Sequence, residues 1–385
     1  MTRRESEDTG SLPPELMGEI LIRLPAKSIG RFRCVSKLFR SLSSDQRFAK
    51  GHIDHLLMTI RNDSSRKLLV SSSRNLYALD LVSCEEGDSD FLGAVEHDYP
   101  PPNLKNHRNG FVGIIGGSCN GLVCISQGRG AMLLYNPTTR EFKRLLSSPH
   151  SHRYDDEQEV QAWGFGFDDV SYDYKVVKLV GGHVVNASVY SLKANSWRRL
   201  PDLSLSYQIW NGYDFSNSGV NLNGACHWVF RLPEGRYHRK VLVCFDIKTQ
   251  EFREMPLPDD PHHFSLSVCL HLVVGNLNGR LCLSVMYHTR SLHNDLWVMN
   301  EYGVASSWSI IRIGYMIYQS IKPLCFSEEE VLLKLDGTGR HMVLYNSETN
   351  VVRGLWIRGA EELSHDFKVC TYVESLISPN LLYGV

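Results

Sequence analysis

The sequence predicts a small all-α module followed by a large all-β domain built from repeated hairpin units. Three observations carry that reading. Apolar residues between Leu12 and Ile53 recur at helical spacing. Beyond about residue 60 they fall instead into short β-branched and aromatic runs such as Tyr174-Lys175-Val176-Val177-Lys178-Leu179-Val180, bounded by Asn-Gly and Pro-Asp turns. Within that second region an aromatic-led hairpin returns about every 50 residues.

Residues 1–11 are polar and expected to be disordered. Leu12-Pro13-Pro14-Glu15-Leu16 opens the first helix, with prolines where a missing N–H is tolerated and Glu15 at the positive end of the dipole. Leu16, Met17, Ile20, Leu21 and Leu24 draw its apolar stripe, and Pro25 ends it. Ser28 is expected to cap a second helix carrying Ile29, Phe32 and Val35. Ser36 is expected to cap a third through Leu38, Phe39 and Leu42, and Asp45 a short fourth through Phe48 and His52. So few short helices bury little surface alone, so the module needs a partner. Lys27, Arg31, Arg33, Lys37, Arg40, Arg47 and Lys50 face only Asp45 between residues 26 and 53, a basic surface suited to an acidic partner. Residues 54–65 read as a linker and 66–385 as the β domain.

The repeat begins at Tyr77, Tyr135, Tyr190, Phe245, Trp297 and Tyr345, separated by 58, 55, 55, 52 and 48 residues. In three copies a second aromatic follows seven residues later, at Phe142, Trp197 and Phe252, across a turn such as Pro137-Thr138-Thr139-Arg140. Asn120-Gly121, Asn223-Gly224 and Asn278-Gly279 announce a further strand upstream. This is the spacing of kelch-type propeller blades, in which stacking around an axis covers each blade's apolar faces. The expectation is a six-bladed kelch-like β-propeller, with Phe367–Val373 as an orphan strand that pairs with the first unit, Arg66–Ser83, and closes the ring.

Composition narrows the function. Forty-one Lys and Arg against 42 Asp and Glu leave a net charge of −1, which argues against a chain built to grip nucleic acid. No apolar run reaches the ~18–20 residues of a membrane span, and the N-terminus has no apolar core behind its arginines, so no membrane insertion and an intracellular, cytoplasmic or nuclear, location are expected. Cysteines inside apolar runs, such as Cys124 and Cys244, read as small hydrophobes. No CxxC occurs, His262-His263 and His150/His152 lack a third ligand, and no metal or cofactor is expected. Gly113–Ser118 lacks the lysine and helix of a phosphate loop. The acidic runs Asp155-Asp156-Glu157, Asp168-Asp169 and Asp259-Asp260 read as solvated loops, and no G-x-S-x-G is present.

Residues 12–53, with Leu12-Pro13-x-Glu15-Leu16-x-x-Glu19-Ile20-Leu21-x-Arg23-Leu24-Pro25-x-Lys27-Ser28 and Arg31-Phe32-Arg33-Cys34-Val35-Ser36-Lys37, closely resemble a plant F-box, with Phe39 where tryptophan is usual. The remainder resembles the type 1 F-box-associated domain of plants. The residues that carry this likeness are Cys119–Val123, Tyr135–Arg140, Gly164-Phe165-Gly166-Phe167-Asp168, Asp173–Val177, Val189–Leu192 with Ser196-Trp197-Arg198, and Asn223–Trp228. The chain is thus similar to the constitutive-expresser-of-PR-genes and S-locus F-box proteins. The resemblance implies a non-catalytic substrate receptor of a Skp–cullin–F-box ubiquitin ligase, binding a Skp-type adaptor, through it cullin, and an unknown protein substrate. It implies adaptor contacts from Leu12, Pro13, Leu16, Ile20, Leu21, Leu24, Pro25, Ile29, Phe32 and Val35. Substrate contacts are expected from aromatic and charged loop residues, namely Tyr154, Tyr207, Trp210, Tyr213 and His262. Rival readings are an F-box scaffold without ligase output and a carbohydrate-active propeller using Asp168 and Asp169.

Overall fold

Four helices open the chain: α1 (Pro14–Leu21), α2 (Ala26–Phe32), α3 (Lys37–Ser44) and α4 (Gln46–Thr59). The computed structural model describes residues 13–59, 66–71, 75–80, 91–97, 113–126, 132–148, 161–181, 185–201, 203, 207–209, 218–234, 237–259, 269–287, 293–313, 320–327, 330–335, 342–359 and 367–380. Two caps fall where the sequence places them. The Ser36 hydroxyl accepts from the Phe39 amide at 3.1 Å, and the Asp45 carboxylate from the Phe48 amide at 3.0 Å. Ser28 does not cap: Pro25 holds that position for α2, its fixed φ of −56° leading directly into the helix at Ala26. α4 is also no short helix. It continues to Thr59, into the stretch expected as a linker, because no proline or second glycine follows Gly51 to stop it.

The β domain follows in chain order. β1 (Arg66–Ser71), β2 (Leu76–Asp80) and β3 (Phe91–His97) come first, then β4 (Gly113–Cys119), β5 (Leu122–Ser126), β6 (Met132–Tyr135) and β7 (Phe142–Arg144). β8 (Gln161–Asp168), β9 (Asp173–Val180), β10 (Asn186–Ser191) and β11 (Ser196–Arg199) make the next group. After them come β12 (Gln208–Ile209), β13 (Val220–Leu222), β14 (Ala225–Glu234), β15 (Tyr237–Asp246) and β16 (Phe252–Met255). β17 (Cys269–Leu277), β18 (Arg280–Tyr287), β19 (His293–Met299) and β20 (Trp308–Ile313) precede β21 (Ile321–Ser327), β22 (Glu330–Leu335), β23 (Met342–Asn346), β24 (Val352–Arg358) and β25 (Lys368–Val373).

The repeat predicts six separate blades; among the described residues hydrogen bonding makes five sheets instead. β4–β7, β8–β11 and β17–β20 are four-stranded, β12–β16 form a five-stranded sheet, and the remaining strands join in one sheet of eight. The eight-stranded sheet arises because β24 and β3 pair in parallel over Trp356–Arg358 and Phe91–Gly93. That contact links two antiparallel halves, β21–β24 and β25-β1-β2-β3, which sequence periodicity treats as unrelated units.

Each repeated motif has a visible cause. Asn120-Gly121, Asn223-Gly224 and Asn278-Gly279 all hold positive φ at both residues, the tight hairpin turn that joins an inner strand to its neighbour. The seven-residue aromatic spacing is a cross-strand pair: Tyr135 sits opposite Phe142, Tyr190 opposite Trp197, and Phe245 opposite Phe252. The turn between them needs a left-handed residue five positions after the first aromatic, supplied by Arg140, Asn195, Gln250 and Asn350. The residue after the aromatic stabilises this turn with its side chain. Asn136, Asp246 and Asn346 each accept two backbone N–H groups two and three residues on.

The inner strands stand side by side around an axis: β4 beside β8, β8 beside β13, β13 beside β17, β17 beside β21, β21 beside β25, and β25 beside β4. Glycines permit this crowding. A Cβ on Gly164 would lie 2.6 Å from the Trp228 indole, and one on Gly166 2.6 Å from the Asn221 amide. The core is accordingly divided into clusters between neighbouring sheets, such as Ala162, Val177, Val189, Trp228, Phe230 and Phe245 between β8–β11 and β12–β16.

Closure follows the expected strand. β25 pairs antiparallel with β1 along its whole length, Arg66 to Ser71 against Val373 to Lys368. The chain then crosses onto the β4–β7 sheet, where the buried Asn136 amide donates to the carbonyls of Ser375 at 3.0 Å and Ile377 at 2.7 Å. Gly121, at φ +79°, lies under this crossing, and a Cβ there would meet Ser375 at 2.5 Å. Replacing Asn136 with Ala strips the partners from two tail carbonyls and two turn amides, each buried unpaired group costing about 1–3 kcal/mol. Asn136→Ala should therefore lower unfolding free energy by at least about 2 kcal/mol in urea denaturation, and Gly121→Val should do the same through strain and overlap. An unchanged midpoint for both variants would show that the crossing does not hold the ring.

Candidate functional site

The helical module is seated on the β domain. Ala26, Ile29, Ala49 and Ile53 join Leu122, Leu134, Phe165, Tyr174, Leu376 and Ile377 in one buried cluster, with Leu24 and Phe48 partly buried against it. Lys27 reaches Glu374 at 2.9 Å, and Lys67 meets the same carboxylate at 3.4 Å, so the C-terminal crossing bridges the module and the first sheet. The Lys50 ammonium stands 5.4 Å from the Phe167 ring centre. His52 donates from Nε2 to the Leu24 carbonyl at 2.7 Å, holding the corner between α1 and α2, and burial lowers its pKa. The expected linker does not keep the two modules apart, because the apolar stripe of α2 and the buried side of α4 point at the strands.

The expected adaptor residues therefore divide. Leu16 and Ile20 are 51% exposed and Val35 is 70% exposed; Phe32, Pro13 and Pro25 also face outward. Leu21 and Ile29 are buried at 4% and 1%, and Leu24 is partly buried, so these three serve packing first. Leu12 lies outside the described residues. Leu38, Leu57 and Met58 are exposed as well, and Phe39 packs at 5.8 Å on Phe32. Sequence reasoning left these four out of the contact set because helical periodicity finds apolar faces without showing which one the β domain covers.

The β domain places its chemistry-bearing groups in structural work. Asp168 caps its turn by accepting from the amides of Val170 and Ser171 and from the Ser171 hydroxyl, and pairs with the buried Lys175 ammonium at 2.6 Å. These donors outweigh burial and hold its carboxyl far below the usual range, so it is neither general acid nor free nucleophile. Near the axis, Trp228 donates to the Trp163 carbonyl and Gly219 to the same oxygen, and Asn221 donates to Phe165, filling the space between inner strands. His227, fully buried, donates from Nδ1 to the Val220 carbonyl at 3.0 Å and accepts at Nε2 from the Tyr302 hydroxyl at 2.7 Å. Burial drives its pKa down to about 4 and that of Tyr302 up to about 12. Both ring nitrogens are occupied, and the imidazole stays neutral. Among the described residues no group of three His, Cys, Asp or Glu side chains converges on a metal position, and no helix is long and apolar enough to cross a membrane.

Between β11 and β16 a cleft of about 460 Å³ is floored by Leu200, Leu203 and Val243 and flanked by Phe252, Gln250 and Tyr207. The Tyr207 hydroxyl donates to Glu254 at 2.8 Å, and the ring packs on Phe230. Tyr207 thus stands at an inter-sheet cleft. Tyr154, Trp210, Tyr213 and His262 lie outside the described residues.

The described residues thus form a helical module docked on a ring of β sheets. The family model of the F-box associated beta propeller domain matches residues 103–379, and that of the F-box domain matches residues 10–50. The chain belongs to the F-box proteins that carry an F-box associated β-propeller domain. An F-box/kelch-repeat protein of Arabidopsis thaliana is 29% identical over 98% of this chain and 99% of its own. The F-box protein CPR1 of the same plant is 28% identical over 90% and 85%. Among solved structures, an oligogalacturonate lyase of Vibrio parahaemolyticus superposes with a TM-score of 0.40 at 9% identity, covering 73% of this chain and 71% of its own, too distant a likeness to carry any argument.

Neutral buried His227 gives this domain a pH dependence of fixed sign. Its folded pKa lies below the ordinary value of 6.5, so the unfolded chain takes up the proton first as pH falls. Its stabilisation is complete above about pH 6.5 and is lost progressively toward pH 4, by at most about 3 kcal/mol. His52 and His271, lowered by burial too, act in the same direction. Denaturation midpoints measured from pH 7.5 to 4.5 should fall for the wild type and fall less steeply for His227→Gln. Parallel curves for the two proteins would contradict this account.

Proposed function

We propose that this protein is the substrate-recognition subunit of a Skp–cullin–F-box ubiquitin ligase, gripping a Skp-type adaptor with the outward face of α1–α3 and a protein target with the β domain. The observation that supports this most is the partition of the helical module. Ala26, Ile29, Ala49 and Ile53 are used against the β domain, while Leu16, Ile20, Phe32, Val35 and Leu38 stay 36–70% exposed. Large apolar side chains left in water on a module already docked are the signature of a surface waiting for a protein. Arg31, Lys37 and Arg40 are exposed on the same helices, giving an acidic adaptor surface charges to meet.

In this reading the chain supplies proximity rather than a reacting group. Holding a target near the charged ubiquitin carrier raises the effective concentration of target lysines, and a docked module keeps that geometry constant. We read the ring as six blades, counting the two halves of the eight-stranded sheet separately, since each has its own inner strand, β21 or β25. Such a receptor would work in the cytoplasm, the nucleus or both.

Leu16 and Ile20 lie one turn apart and are half exposed, so truncating them should spare the fold. Loss of a central contact commonly costs ~2 kcal/mol, and ~1.4 kcal/mol is tenfold in affinity. Leu16→Ala with Ile20→Ala should weaken capture of a plant Skp adaptor at least tenfold in calorimetry while leaving the melting curve unchanged. Equal capture by variant and wild type would remove this face from the interface, and no capture by wild type would end the ligase reading.

A further inference from the structure

The outer rim of three consecutive sheets is basic although the chain as a whole carries −1. The segments 140–144, 193–199 and 248–254, which form β7, β11, β16 and the turns that lead into them, hold Arg140, Lys143, Arg144, Lys193, Arg198, Arg199, Lys248 and Arg253 against only Glu141, Glu251 and Glu254. The equivalent segments of the next two sheets, 300–313 and 346–358, hold three basic and two acidic residues. All eight cations but Lys143 are exposed. The three segments are neighbours: the Trp197 indole donates to the Leu146 carbonyl at 2.8 Å just past β7, and the Arg198 guanidinium donates to the Gln250 side chain beside β16.

The apolar cleft opens inside this basic rim, since Leu200 follows β11 directly and Phe252 begins β16. Glu254, one of the three acids, is engaged by Tyr207 at 2.8 Å and stands 3.9 Å from Arg239. Glu251 and Arg253 both line the cleft wall, so it is the surplus of cations on the surrounding rim that favours an occupant bringing negative charge, with an apolar side chain for the floor. The aromatics nearby offer no platform for stacked bases: Trp197 packs on Tyr190, Phe252 on Phe245 and Tyr207 on Phe230. We infer that the rim and cleft formed by β7, β11 and β16 are where this protein takes its target, through an acidic segment that seats a leucine, isoleucine or phenylalanine between β11 and β16. The inference rests on the reading that the β domain holds a protein target, and it adds the chemistry of the segment held.

The test uses the purified full chain, with and without an added plant Skp adaptor, and fluorescence anisotropy of four labelled probes. The first is a twelve-residue peptide of aspartate and serine around a central Leu-Phe. The second carries lysine for each aspartate, the third serine for Leu-Phe, and the fourth is a twelve-nucleotide single-stranded DNA. The acidic apolar peptide should bind at least tenfold more tightly than either peptide counterpart, with an affinity that falls as salt rises. Arg198→Glu with Lys248→Glu, both at exposed positions, should cost it at least tenfold while the melting curve stays put. No binding of that peptide, equal binding of the lysine or serine versions, or indifference to the charge reversals would overturn the inference, as would tighter binding of the DNA. Adaptor capture is read in the same samples. Its failure alongside selective peptide binding strikes only the ligase reading, whereas capture without peptide selectivity strikes only this one.

Discussion

Everything in this molecule depends on the C-terminal residues returning to the start of the β domain. An open series of sheets leaves unpaired N–H and C=O groups and bare apolar faces at both ends. β25 removes one such edge by pairing with β1, and the following residues cover the adjoining sheet by entering the Asn136 turn. Leu376 and Ile377 then become core for α2 and α4 as much as for the strands. Strand pairing, sheet packing and helical docking thus meet on a few residues close to the end of the chain, separated from their partners by more than two hundred positions.

Closure also decides what the domain can do. The inner strands crowd one another where Gly164, Gly166 and Gly219 admit Trp228 and Asn221. Two of the domain's polar side chains hold turns and sheets, Asp168 through four donors and His227 through two partners. Among the described residues two surfaces stand out: an exposed apolar and basic face on the helices, and a basic rim with a cleft on the strands.

Docking gives the two surfaces a fixed relation. A tethered module of four helices would sample many orientations, whereas one sharing a core with β4–β11 and held by Lys27, Glu374 and Lys67 does not. The same docking explains why α1 and α2 carry apolar residues on more than one side. A module of this size cannot bury enough surface by itself, so one side is assigned to the β domain and another is left for a partner.

Much was legible in residue order because it is local. Period marks helices and strands, Asn-Gly demands a hairpin, and Tyr135, Tyr190 and Phe245 seven residues before a second aromatic define cross-strand pairs that involve only the intervening turn. The F-box and its associated domain were likewise readable from contiguous motifs. The site was legible only in part: of the residues expected to contact an adaptor, Leu16, Ile20, Phe32 and Val35 are exposed, whereas Leu21 and Ile29 are buried. Tertiary structure alone decided which apolar face meets the β domain, that β24 and β3 join the first and last units into one sheet, and that Tyr207 stands at a cleft between β11 and β16. The reason is physical: a side chain's period is set by its immediate neighbours, whereas its burial and its company depend on residues that closure of the ring brings together from far along the chain.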